Sequence, residues 1–177
     1  MKYILDNTVL SNFTLIEKLD LLFKILGDEI YVTNFVKSEF QKRFTFSLEN
    51  FQFEEIKPED IEQLTEAGNY SNIQGEGVRL DILGEGELSC IILCITKFKD
   101  NAIILTDDGK ARKTIKRLEL KVGGSIYVLA FGVCKGILSL EEAERLLLLM
   151  KKKGFYLKET IKVIDSVIEQ CPEALQK

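Results

Sequence analysis

The chain contains no histidine in 177 residues, and that absence excludes more chemistry than any other feature. Ser-His-Asp triads, histidine acid/base pairs and most transition-metal sites are ruled out. Any catalyst here must work with carboxylates, hydroxyls, lysines or a metal held by oxygen. Proline is nearly absent too: only Pro58 and Pro172 occur, and no Gly/Pro/Ser-rich linker divides the chain. With 46% hydrophobic and 29% charged residues, one globular domain spanning 1–177 is expected, its core over 1–140 and C-terminal helices over about 140–171. There is no excess of positive charge. The formal net charge is −4, from 24 basic and 28 acidic residues, which excludes a basic coat but permits a local nucleic-acid patch. No apolar run reaches membrane-spanning length, and the N-terminal one is short and broken by Asp6. A cytoplasmic protein without a membrane partner is expected. Cysteine is limited to Cys90, Cys94, Cys134 and Cys171. Without histidine or a second nearby pair, the i,i+4 pair Cys90/Cys94 is not expected to hold zinc, and the cysteines are expected to be reduced, mostly packed thiols.

What is present begins with Lys2-Tyr3-Ile4-Leu5-Asp6-Asn7-Thr8-Val9-Leu10. It reads as a short buried strand that delivers one carboxylate, Asp6, at its C-terminal end. An unpaired charge is costly inside a core, so Asp6 is expected at the edge of a parallel sheet, where open α/β folds bind ligands. Two short helical pieces follow, Thr8 to Leu15 and Lys18 to Leu26, stopped by Gly27. Glu29 to Val32 is β-prone, and Thr33 is placed to cap a helix with Val36 and Phe40 inward and Glu39 beside them. Phe51 to Ile56 alternates like a strand, and Pro58 with Glu59 and Asp60 is a good helix start.

Gly and Asn cluster between Gly68 and Gly77, which reads as a helix end and a loop around Ser71 to Asp81. Ten acids and two basic residues fall between Glu54 and Glu87, either a solvated face or a docking surface for a basic partner. Leu83-Gly84-Glu85-Gly86-Glu87 opens a helix running through Lys97, with Glu87 in its first turn. Ala102-Ile103-Ile104-Leu105 is apolar throughout, as an interior parallel strand requires, and it ends in Thr106-Asp107-Asp108-Gly109. The helix after it, Ala111 to Leu118, is basic. Leu120 to Val122 reads as a last short strand. Helices are expected over Ser125–Lys135, Leu140–Lys152 with a Ser139/Glu142 capping box, and Lys158–Gln170.

Strands alternating with helices predict an open, mostly parallel α/β sheet with helices on both faces. Such a sheet puts Asp6 and Asp107-Asp108 at one edge, with Glu87 reaching it from the side and Glu39 from its own helix. Clustered carboxylates repel one another, so a site made of them calls for Mg2+ or Mn2+, which take oxygen ligands. An acid-held metal beside a basic helix is an arrangement for cleaving phosphodiesters.

The motifs bear a family resemblance. Asp6-Asn7-Thr8-Val9-Leu10 with Asn12 resembles the opening of the PIN domain, and Val32 with Val36-Lys37-Ser38-Glu39 resembles its second-strand glutamate motif. Leu83-Gly84-Glu85-Gly86-Glu87 resembles the central-helix start of small prokaryotic relatives of VapC-type toxins. Leu105-Thr106-Asp107-Asp108-Gly109-Lys110-Ala111-Arg112 resembles the run after their fourth strand. Two positions depart from the pattern: Asn7 stands where Thr or Ser is usual, and Ser89 where a second helical glutamate is frequent. The resemblance implies a PIN-like three-layer fold and an Mg2+- or Mn2+-dependent ribonuclease. It also implies metal ligation by Asp6 and Asp108, with Glu39 and Glu87 completing the catalytic acids. Asp107 is implied as a ligand of a second ion or as a turn former. Thr8 and Thr106 are implied as orienting groups, and Lys110, Arg112 and Lys113 as contacts to RNA phosphates. The partners it implies are RNA, a small antitoxin protein and a second copy of the chain in a homodimer. Two other readings stay open. One is a PIN-like RNA-binding or structural module without turnover. The other is a haloacid-dehalogenase-like phosphatase with Asp6 as nucleophile, against which stands the lack of an aspartate at residue 8.

Overall fold

The computed structural model describes residues 1–66, 78–155 and 165. There are five short strands, β1 (Lys2–Leu5), β2 (Ile30–Thr33), β3 (Gln52–Glu54), β4 (Ala102–Leu105) and β5 (Val122–Gly123), and isoleucine, valine, leucine and tyrosine fill most of β1, β2 and β4. They form one sheet in the order β3-β2-β1-β4-β5, and every pairing is parallel. Strands β1 and β4 are interior, and Ile4, Leu5, Ile104 and Leu105 are buried, as expected of strands covered on both faces. Helices pack on both faces, which makes three layers.

The register positions the chemistry. Leu5 lies opposite Leu105, so Asp6 and Thr106 leave the sheet side by side, and the Asp6 amide donates to the Leu105 carbonyl at 3.0 Å. From β1 the chain steps outward to β2 and β3, then returns to β4 on the opposite flank of β1. The strand order therefore reverses between β1 and β4. Their carboxyl ends border the crevice where open α/β sheets take ligands.

The eight helices among the described residues are α1 (Asn7–Leu15), α2 (Asp20–Leu26), α3 (Asn34–Gln41), α4 (Pro58–Glu66), α5 (Glu85–Leu93), α6 (Gly109–Arg117), α7 (Ser125–Cys134) and α8 (Leu140–Lys152). The chain divides into two compact units: Met1–Val9 with Asp28–Gly123, and Leu10–Gly27 with the residues from Gly124 on. The first holds the whole sheet and α3 to α6. In the second, Asn12 Nδ2 donates to Ser125 Oγ at 3.3 Å, and α8 starts on the Ser139/Glu142 capping box. Gly27 ends α2 at φ +82, a backbone region that other residues adopt at a cost.

Three local expectations shift. The helix read through Lys97 stops as an α-helix at Leu93 and continues as a π-helical turn, Cys94–Phe98. There the Thr96 hydroxyl back-bonds to the Ile92 carbonyl at 2.8 Å, and the wider turn brings Phe98 to within 4.6 Å of the Tyr31 ring. Strand β3 is shorter than Phe51–Ile56. The Asn34 side chain takes both the amide and the carbonyl of Ile56, at 2.9 and 3.0 Å, and so ends the ladder. Cys90 and Cys94 are free and buried as expected, whereas Cys134 is disulfide-bonded. The loop read around Ser71 falls mostly outside the described residues. So does the helix read over Lys158–Gln170, except residue 165.

Candidate functional site

Asp6 is only 1% exposed, and three donors converge on one of its oxygens. Oδ2 accepts from Thr8 Oγ1 at 2.7 Å, Thr106 Oγ1 at 2.8 Å and the Thr8 amide at 3.3 Å. Each hydroxyl is itself fixed from behind. Thr8 Oγ1 accepts from the Asp107 amide at 2.9 Å, and Thr106 Oγ1 from the Asp108 amide at 3.1 Å. A hydroxyl has one proton to give, so these backbone donors direct both protons onto Asp6. The result is a carboxylate with Oδ2 saturated and Oδ1 without a protein donor among the described residues.

Asp108 caps α6. Its Oδ1 accepts from the amides of Lys110 and Ala111 at 2.8 and 2.7 Å, the usual arrangement for an aspartate that opens a helix. Its Oδ2 carries no protein hydrogen bond among the described residues. Asp107 follows Thr106 directly and is half-buried.

Glu39 and Glu87 come from α3 and from the first turn of α5. The Glu39 carboxylate lies over the start of α5, where the Gly86 amide donates to Oε1 at 3.3 Å. A Cβ on Gly86 would stand 2.7 Å from Glu39 Oε2, so this approach needs a residue without a side chain. Burial raises the Glu39 carboxyl above its ordinary value, and the charge of Asp6 adds to the shift. Burial also raises Glu87, with Asp6, Glu39 and Asp108 adding repulsion. The charge of Asp6 thus reaches both glutamates, and those of Glu39 and Asp108 reach Glu87. None of the four is in an ion pair among the described residues. Yet among the described residues no three acidic or thiol side chains have the mutual spacing of a formed metal site.

Three features escaped the sequence reading. The first is a hydroxyl chain joining α3 to α5. Thr33 Oγ1, which caps α3 by accepting from the Val36 amide, lies 2.7 Å from Ser89 Oγ, and Ser89 Oγ donates to the Gly86 carbonyl at 2.7 Å. This chain sets the two helices that carry Glu39 and Glu87. Its signal was the small-residue pair Gly86 and Ser89, one helical step apart. The second is Arg112, whose Nη1 donates to the carbonyls of Thr106 and Gly123 at 3.0 and 2.5 Å. That side chain ties β4 to β5, while Lys110 and Lys113 stay exposed on α6. The third is Cys90. Its Sγ donates to the Leu5 carbonyl at 3.8 Å, and burial raises its pKa well above the ordinary value. It is a packed thiol, not a reactive one.

A parallel three-layer α/β fold with four mutually repelling acids near the reversal of strand order defines the class of protein. The chain matches the PIN domain family over residues 2–173 and belongs to it. No curated protein matches it.

Proposed function

We propose that the protein is a ribonuclease that uses Mg2+ or Mn2+ to hydrolyse RNA phosphodiester bonds. The observation that carries this reading is Asp6: a buried carboxylate with one oxygen locked by two threonines, the other left for a cation, and a charge that acts on Glu39 and Glu87. The donor set suits a hard divalent ion, since every candidate ligand is a carboxylate oxygen and Asp6, Glu39, Glu87 and Asp108 form no ion pair among the described residues. Asp6 and Asp108 would hold the ion, with Glu39, Glu87 and Asp107 completing the set. A bound ion would make water a nucleophile near neutral pH and offset charge on the phosphate oxygens.

The chain's own residues do the rest. Thr8 and Thr106 keep Asp6 in one orientation. Glu39 and Glu87, whose carboxyls hold protons more tightly than usual, are suited to take the proton that an attacking water gives up at Oε. Water adds to phosphorus, one P–O ester bond breaks, and the leaving oxygen takes a proton from solvent. Lys110 and Lys113 on α6 meet backbone phosphates. Arg112 shares that role only with donors not already bound to Thr106 and Gly123.

The test is cleavage of a labelled single-stranded RNA with and without Mn2+. Metal-dependent cleavage by the parent protein, lost in Asp6→Asn and Asp108→Asn, supports the reading. Metal-independent cleavage, or cleavage that survives both changes, refutes it. Within this reading the protein is the toxin of a toxin–antitoxin pair and a homodimer. Growth arrest on expression that disappears with Asp6→Asn, and a copurifying short protein that inhibits cleavage, are the outcomes to look for. A second reading is an RNA-binding or structural module without turnover, since no three acids among the described residues have the spacing of a formed metal site. RNA binding unchanged by Asp108→Asn, with no metal-dependent cleavage, would establish that one.

A further inference from the structure

A groove of about 620 Å³ runs between α3 and the edge strand β3 and lies outside the acidic centre. Helix α3 lines it with positions 34, 37, 38, 41 and 42, which form one helical face. At about 100° per residue, Glu39 sits roughly 60° beyond Lys42 on the same helix. Lys42 therefore stands between the groove and the acids, and its charge acts on Glu39. On the opposite wall Phe53 is 41% exposed, and Lys37 Nζ lies 4.2 Å from its ring centroid. Among the described residues two acids line the groove; Glu54 is paired with Lys97, and Glu55 is in no ion pair. Neither Lys37 nor Lys42 is in an ion pair among the described residues.

An exposed aromatic ring with one ammonium group over it and a second on the same groove offers what a single nucleic-acid strand requires: a ring face for a base, opposite Lys37, and charges for the neighbouring phosphates. A duplex does not fit this chemistry, because its bases are already stacked on one another. We infer that this groove binds the stretch of single-stranded RNA next to the scissile phosphate, with a base against Phe53 and phosphates on Lys37 and Lys42. Ser38 and Gln41, between the two lysines, are placed for polar contacts to sugar or base. The inference rests on the nuclease reading for its direction toward the acids, but binding in the groove is measured without cleavage.

The experiment uses the full chain carrying Asp6→Asn and follows fluorescence anisotropy of a labelled oligouridine, with a duplex RNA of equal length as control. Single strands should bind and duplex should not. Phe53→Ala should weaken binding about 5- to 150-fold, while Phe53→Tyr should nearly restore it. Lys42→Gln should reduce the slope of log K against log salt by about 0.7, as expected for one phosphate contact on a single strand. Glu55→Gln should tighten binding. Phe53 and Lys42 are surface positions, so thermal melts of these variants should overlay the parent's. Single-strand binding unchanged by Phe53→Ala and Lys42→Gln overturns the groove while leaving the nuclease reading intact. Equal affinity for duplex also overturns it. Phe53-dependent binding, together with no metal-dependent cleavage by the parent protein, keeps the groove and sinks the nuclease.

Discussion

Replacing Gly86 by alanine should separate stability from site geometry in this protein. The added methyl would meet Glu39 Oε2 at 2.7 Å and its Cδ and Oε1 at 2.9 Å. Comfortable contact begins near 3.5 Å, so the carboxylate must retreat by roughly 0.8 Å and give up the Gly86 amide. The atoms that move are the far end of a flexible side chain, which makes the adjustment cheap. Losing that hydrogen bond costs about 1 kcal/mol, and placing alanine in a helix returns about 0.5–1 kcal/mol. The net change is within about 1 kcal/mol of zero, or a melting shift of no more than ~4 °C. The same displacement at a metal-binding or proton-accepting carboxylate costs on the order of 10²-fold in rate. Circular-dichroism melts, Mn2+ titration calorimetry and kcat/KM on single-stranded RNA should therefore disagree: near-parent stability, weakened ion binding and about a hundredfold loss of cleavage. Gly84→Ala is an internal comparison, since its methyl would crowd only Glu87, with Oε2 at 2.7 Å. A Gly86→Ala protein that binds Mn2+ and cleaves RNA like the parent would refute the reasoning. So would one that melts more than about 10 °C lower.

Thr106→Val removes a donor to Asp6 and the acceptor of the Asp108 amide, both in a buried setting. It should cost about 2–4 kcal/mol in urea unfolding, and a loss under about 0.5 kcal/mol would contradict the role assigned to the hydroxyl. Arg112→Gln removes the charge and the Nη1 donor shared by two carbonyls; stability should fall by about 2 kcal/mol while the salt dependence of RNA binding stays the same. The reverse pattern would make Arg112 a phosphate ligand. Burial and neighbouring acids raise the carboxyls of Glu39 and Glu87, so the folded state holds their protons more tightly than the unfolded state does. Their favourable contribution is complete below the ordinary value of 4.5 and is lost as pH rises through the raised folded values. In metal-free buffer Glu87→Gln should thus be more stable than the parent at pH 7, with the gap closing toward pH 4.5. A gap that widens on acidification would reverse the sign and the argument.

Much of the fold could be read from local patterns because the patterns were strong. Ala102 to Leu105 offers four apolar residues in a row, and it forms the interior strand expected of it. Ser139 and Glu142 announced α8, and Thr33 announced α3, because a cap is a contact between residues three apart. The site was harder, since its contacts are long-range. That Asp6 and Thr106 emerge together depends on the register of β1 against β4, which no local pattern encodes. The Thr33–Ser89 bond joins residues 56 apart, and nothing in either segment announces the other. Arg112 was misleading for a related reason: in sequence it belongs to a basic helix, while in space its nearest acceptors are backbone carbonyls of β4 and β5. The π-helical turn at Cys94 was hidden as well, because the Phe98–Tyr31 contact that goes with it joins residues far apart in the chain.

The threonine that completes the Asp6 cradle comes 100 residues after it. A chain still being made, or one cut short before β4, owns the first acid but neither Thr106 to orient it nor Asp108 beyond it. The orientation of that carboxylate is therefore fixed late, only once the middle of the sheet has closed.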